Sequence, residues 1–102
     1  MEKAGVKLVT IVTEALLEPR IIEEITQLGA RGYTITEVKG FGSRGVRDSD
    51  LDGKNVKVEA IVSHRVADAI LEVVHDKFFR SYAMVAWLTD VEVVRAAKYV
   101  SP

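Results

Sequence analysis

Cysteine is absent from the 102 residues, which removes disulfides, thiol nucleophiles and thiolate metal sites from this chain. No charge of either sign dominates. The formal net charge is -1 and the isoelectric point is near 6.1, so no global field draws the chain to nucleic acid or to an anionic membrane. Long apolar runs are missing as well. The first residues, MEKAGVKLVTIVTEALLEP, hold an apolar stretch of about eight residues broken by Thr, with no small-residue cleavage signal behind it and far short of the roughly 18 residues of a membrane span. A cytoplasmic protein is the expectation. There is no repeat and no low-complexity linker, and no Ser/His/Asp or paired-carboxylate arrangement can be assigned from spacing, so nothing asks for catalysis.

What is present is a 48% hydrophobic chain of a size that makes one domain, taken here as 1–102. Val6 to Thr13 (VKLVTIVT) is β-branched and apolar on both faces, which suits a central strand. Pro19 fits the first turn of a helix whose Ile21, Ile22, Ile25 and Leu28 share one side, ending between Gly29 and Gly32. YTITEVK (33–39) and VKVEAIV (56–62) read as strands, the latter with Val56, Val58, Ala60 and Val62 on one face and Lys57 and Glu59 on the other. Ser63 is placed to cap a second helix with a buried stripe of Val66, Ile70, Val73, Val74 and Lys77. Tyr82 to Leu88 then begins a fourth strand that continues into VEVVR.

Strand, helix, strand, strand, helix, strand is the order of the split βαβ or ferredoxin-like arrangement, an α+β fold with an antiparallel sheet and both helices on one face. The other face is left bare. Ile61 or Trp87 falls on it depending on register, so an oligomer is expected.

The loop of about fourteen residues from Phe41 to Lys54 exceeds what a tight hairpin needs. Gly40 and Gly42 allow positive φ and close approach of backbone N–H groups, and Ser43, Arg44 and Arg47 can bind phosphate or carboxylate oxygens. An anion cradle and a solvated hairpin tip both fit this composition. DSDLDGKNVKVE (48–59) also satisfies the spacing of an EF-hand loop through Asp48, Asp50, Asp52 and Glu59, but Glu59 falls within a strand and flanking helices are lacking. Asp and Gly are also what turns use, and the acidic run pairs more readily with Arg44 and Arg47 when no ligand is present than with calcium. His64 and His75, eleven residues apart on one helix, have no third ligand nearby in sequence, and Phe78, Phe79 and Trp87 suit core or interface positions.

TITEVKGFG (34–42) resembles the strand and loop start of the PII signal-transduction family, and GSRGVR (42–47) is similar to the Gly-Ser-Arg-x-Val-Arg pattern of its PII-like branch, typified by SbtB and by carboxysome-associated PII proteins. VTE (12–14), GARGYT (29–34) and the Tyr-Ala pair at 82–83 extend the resemblance over almost the whole chain. It implies a non-enzymatic trimer that binds AMP or ADP, or cyclic AMP, in clefts between subunits, responds to bicarbonate, and regulates a bicarbonate transporter or carboxysome-related partner through the 41–54 loop. The membrane would then be reached only through that transporter. By the same resemblance, Ser43, Arg44 and Arg47 hold phosphate, Thr36 and Gly42 line the cleft, Ala83 and Met84 offer backbone groups to the base from a neighbouring wall, and Arg95 stands where PII proteins carry a C-terminal arginine. No cofactor is required. The segment after Gly42 has no Tyr for uridylylation, and HDKFFRSYA (75–83) lacks the Gly- and Lys-containing loop that helps hold a triphosphate. The rival expectation is a metal-handling or small-enzyme protein on the same fold, similar to divalent-cation-tolerance trimers or monooxygenase-like dimers.

Overall fold

The computed structural model describes residues 3–40, 54–95 and 97–100. Its elements run β1 (Lys3–Glu14), a 3-10 turn (Ala15–Leu17), α1 (Glu18–Leu28), β2 (Thr34–Val38), β3 (Asn55–Val62), α2 (His64–Lys77), β4 (Met84–Val94) and a single-turn α3 (Ala97–Val100). The four strands form one antiparallel sheet in the order β2-β3-β1-β4. This is the expected ferredoxin-like order, with β1 in the middle.

Alternation along the strands sorts the side chains. Val9, Ile11, Val56, Val58, Ala60 and Val62 form the core with Ile21 and Ile25 of α1 and Val66, Ala67, Ile70 and Val74 of α2. Leu8, Thr10 and Val12 have the opposite parity. The register sets Leu8 against Ile61 and Thr10 against Trp87, so Ile61 and Trp87 both lie on the face away from the helices. Trp87 is 43% exposed there, and Val85 beside it 51%.

Local chemistry fixes the helix ends. The Ser63 side chain accepts a hydrogen bond from the Val66 N–H at 3.3 Å, as its cap role predicts. Pro19 sits in the first turn of α1. At the other end Gly29, with φ of 120°, donates to the Thr26 carbonyl at 3.1 Å, while Ala30 donates to Ile25 at 2.9 Å. That pair of bonds is a Schellman motif, sealed by the burial of both Ile25 and Ala30 in the core.

Two details depart from the sequence reading. Lys77 does not join the buried stripe of α2; its ammonium donates to Glu24 of α1 at 2.8 Å on the surface, and Phe78, fully buried, takes the apolar place one residue on. β4 begins at Met84 rather than Tyr82, because Ser81 and Tyr82 spend their N–H groups on the Phe78 carbonyl, closing the end of α2.

Candidate functional site

The strand register brings two of the expected site segments to one end of the sheet. Met84 pairs with Thr13, Thr13 with Val56 and Val56 with Glu37, forming a row across all four strands; the next row runs Val85, Val12, Lys57, Thr36. Thr36 and Met84 therefore stand at the same end, on the two outermost strands, about three strand spacings or roughly 14 Å apart. β2 leaves the sheet at this end and β3 returns to it, so the 41–53 segment is tethered there at both ends. Gly42, Ser43, Arg44 and Arg47 belong to that segment and lie outside the described residues, as do Asp48, Asp50 and Asp52.

Thr36 is exposed, and its parity with Lys57 places it on the face away from the helices. Ala83 and Met84 are half-buried. The Thr13 hydroxyl donates to the Ala83 carbonyl at 3.2 Å, tying the start of β4 to the central strand. Ahead of Ala83 the connection from α2 is anchored at several points. The Phe78 ring is buried, the Phe78 carbonyl accepts from Ser81 and Tyr82 at 3.1 and 3.0 Å, and the Tyr82 hydroxyl accepts from the Arg20 guanidinium at 3.1 Å. That guanidinium also lies 4.9 Å from the Phe78 ring centroid and 5.8 Å from that of Tyr82. Sequence reasoning missed Arg20 because an exposed helix arginine carries no local signal of such a contact. Thr13 lay within a quoted motif, but its partner is 70 residues away.

Arg95 is elsewhere. It follows the last residue of the eleven-residue β4 at φ of 66°, where the chain turns into α3, which contacts β1 and β3. Fully extended, that strand puts Arg95 roughly 35 Å from Met84. One subunit does not bring it to the end of the sheet that holds Thr36.

The remaining candidates separate on distance. His64 and His75 are both exposed on α2, but eleven residues at helical rise hold them about 16 Å apart along the axis, too far to share an ion. His75 Nδ1 lies instead 2.9 Å from Asp76 Oδ1. Glu59 sits within β3 between Thr10 and Thr34. Among the described residues no three His, Asp or Glu side chains converge as a metal site. Asp90 is held below its ordinary carboxyl pKa by a hydrogen bond and ion pair with Lys7. A shallow groove of about 550 Å³ runs between α1 and β2, lined by Pro19, Ile22, Glu23, Thr26, Tyr33 and Ile35, and includes none of the expected site residues. Among the described residues no helix is long and apolar enough to cross a membrane.

The family described as nitrogen regulatory protein P-II matches residues 6–98. The chain belongs to the P-II family. A PII-like protein of Thermus thermophilus is 50% identical, with a TM-score of 0.86 over 98% of this chain and 100% of that one. CPII of Thiomonas intermedia, in a structure bound to ADP and bicarbonate, is 25% identical, with a TM-score of 0.85 over 96% of this chain and 97% of its own. The same CPII bound to ADP, AMP and acetate aligns at 22% identity and a TM-score of 0.86, over 99% of this chain and 100% of its own, a likeness of fold. The P-II likeness thus runs nearly end to end, and the ferredoxin-like fold is that of PII-like proteins.

Proposed function

We infer that this P-II protein is a non-enzymatic signalling protein that binds ADP or AMP, with bicarbonate as a second ligand, in clefts between the subunits of a trimer. The observation that carries this reading is the full-length similarity to CPII, which was solved with ADP and bicarbonate. The geometry agrees with it in three respects. Thr36 and the Ala83–Met84 backbone flank the sheet end from which the segment bearing Ser43, Arg44 and Arg47 departs. Arg95 lies at the far end of β4 and can meet that cleft only from a neighbouring subunit. The exposed Trp87 and Val85 give the face opposite α1 and α2 an apolar patch suited to burial against other copies.

Phosphate held by Ser43, Arg44 and Arg47 would gain on the order of 1.5–3 kcal/mol per charge-assisted bond, opposed by about 1–2 kcal/mol for each loop residue that becomes fixed. Affinity is then about micromolar. The 41–54 segment carries the signal to a partner, a bicarbonate transporter or a carboxysome-related protein. The test is calorimetric titration with AMP, ADP, ATP, cyclic AMP and GTP, with and without bicarbonate. Adenine-specific binding near one site per subunit, weakened at least tenfold (about 1.4 kcal/mol) by Arg47→Ala, is expected. Silence across the panel, or unchanged affinity in the variant, overturns the assignment.

A further inference from the structure

The loop that joins α2 to β4 is held by a side chain from the other helix. Its six residues from Phe78 to Ala83 are fixed at both ends: the buried Phe78 ring anchors the start, and the Thr13 hydroxyl takes the Ala83 carbonyl at the finish. Between them the Ser81 and Tyr82 amides turn back onto the Phe78 carbonyl. Arg20 closes this arrangement from outside. Its guanidinium covers the Phe78 ring at 4.9 Å and donates to the Tyr82 hydroxyl at 3.1 Å, so one planar cation joins the first and fifth residues of the connection.

We propose that Arg20 is a positioning residue for the nucleotide cleft: it presets the Phe78–Ala83 connection so that the Ala83–Met84 backbone is presented in one shape before ligand arrives. This rests on the nucleotide reading above. The connection contains no glycine, and most of its residues are bulky or charged, so shape must come from side-chain anchors rather than from a tight backbone turn. A guanidinium suits the role because it can stack on one ring while its fork donates to a neighbouring hydroxyl; lysine offers neither the plane nor the fork. Glu24, one helical turn further along α1, also bridges to α2, but it does so through Lys77 and leaves the connection untouched.

That difference supplies the control. Arg20→Met keeps the apolar stem and removes the charge and the donors; Tyr82→Phe keeps the ring and removes the acceptor; Glu24→Gln weakens the other bridge between the helices. In the full-length protein, calorimetry with ADP should show a five- to tenfold loss of affinity for Arg20→Met and a smaller loss for Tyr82→Phe. The double variant should be no worse than Arg20→Met alone, because both substitutions break one contact. Glu24→Gln should bind as the wild type does. Hydrogen exchange in the ligand-free protein provides a second readout: the Ser81 and Tyr82 amides should exchange at least severalfold faster in Arg20→Met, with core strand amides unchanged.

Wild-type ADP affinity in Arg20→Met overturns the positioning role. Additive losses in the double variant, or an equal loss in Glu24→Gln, also overturn it. If the wild-type protein itself takes no nucleotide, the functional reading falls, and the exchange rates decide whether the clamp exists: unchanged protection at Ser81 and Tyr82 removes it too.

Discussion

Replacing Gly29 by alanine should destabilise the fold by about 2–3 kcal/mol, and the reasons can be separated. Gly29 ends α1 at φ of 120°, and a left-handed backbone costs an L-residue roughly 1–2 kcal/mol. A Cβ at this position would also stand 3.1 Å from Val66 Cγ2, a side chain of α2 that is itself buried. That is closer than ordinary van der Waals contact, so Val66 must give by a few tenths of an ångström against a packed core, adding about 1 kcal/mol. The assay is urea unfolding followed by far-ultraviolet circular dichroism, with wild type and variants compared at one chain concentration so that association does not enter the difference. Val66→Ala alone loses core packing, yet it makes room for the new methyl. The double variant Gly29→Ala with Val66→Ala should therefore be about 1 kcal/mol more stable than the two single losses predict. If Gly29→Ala unfolds within about 0.5 kcal/mol of the wild type, or is more stable, the account of this helix end is wrong; such a gain is what removing a glycine brings where its φ is ordinary.

Further outcomes follow from the same geometry. Ser63→Ala removes the hydroxyl that caps α2 and should cost about 1 kcal/mol, read as a fall of roughly 4–8 °C in melting temperature; an unchanged melting point would mean the cap is idle. Trp87→Glu puts a carboxylate on the apolar sheet face, where the exposed part of the indole, roughly 100 Å², would contribute about 2.5 kcal/mol per subunit on burial. Light scattering should then give the mass of a single chain, and a persisting trimer mass would place the assembly surface elsewhere. Asp90 has a folded pKa lowered from its ordinary 3.8 by Lys7, so its contribution to stability is complete above that value and is lost as pH falls through the lower folded one. Asp90→Asn should therefore be slightly less stable than wild type at pH 7 in low salt and should converge with it in strong acid; a gap that widens on acidification would contradict the pairing.

The sheet was legible in the sequence because its signals are local. β-branched alternation marked β3, and residues apolar on both sides marked β1 as central. Pro19 and Ser63 declared the helix starts. Lys77 was misplaced since helical spacing alone cannot tell a buried stem from one that reaches across to Glu24. The start of β4 was set too early because β propensity at Tyr82 is overridden by two amides returning to Phe78. The site was legible only as a string of residue types. That Thr36 and Met84 share an end of the sheet, that Arg95 does not, and that Arg20 reaches Tyr82 are all products of pairing between distant segments, which no short motif encodes.

The strand order has a consequence for how the protein comes into being. β1 is made first but lies between β3 and β4, so its hydrogen bonds on one side wait for β3 and on the other for the last strand synthesised. Of the three strand pairings, only β2 with β3 joins successive strands; the others close loops of tens of residues, which slows folding. During translation the nascent chain therefore carries β1 with an open edge until β4 has left the ribosome. Trp87 and Val85 both belong to β4. The apolar patch on the sheet therefore forms only with β4, after the other three strands, and a chain truncated before β4 lacks that patch.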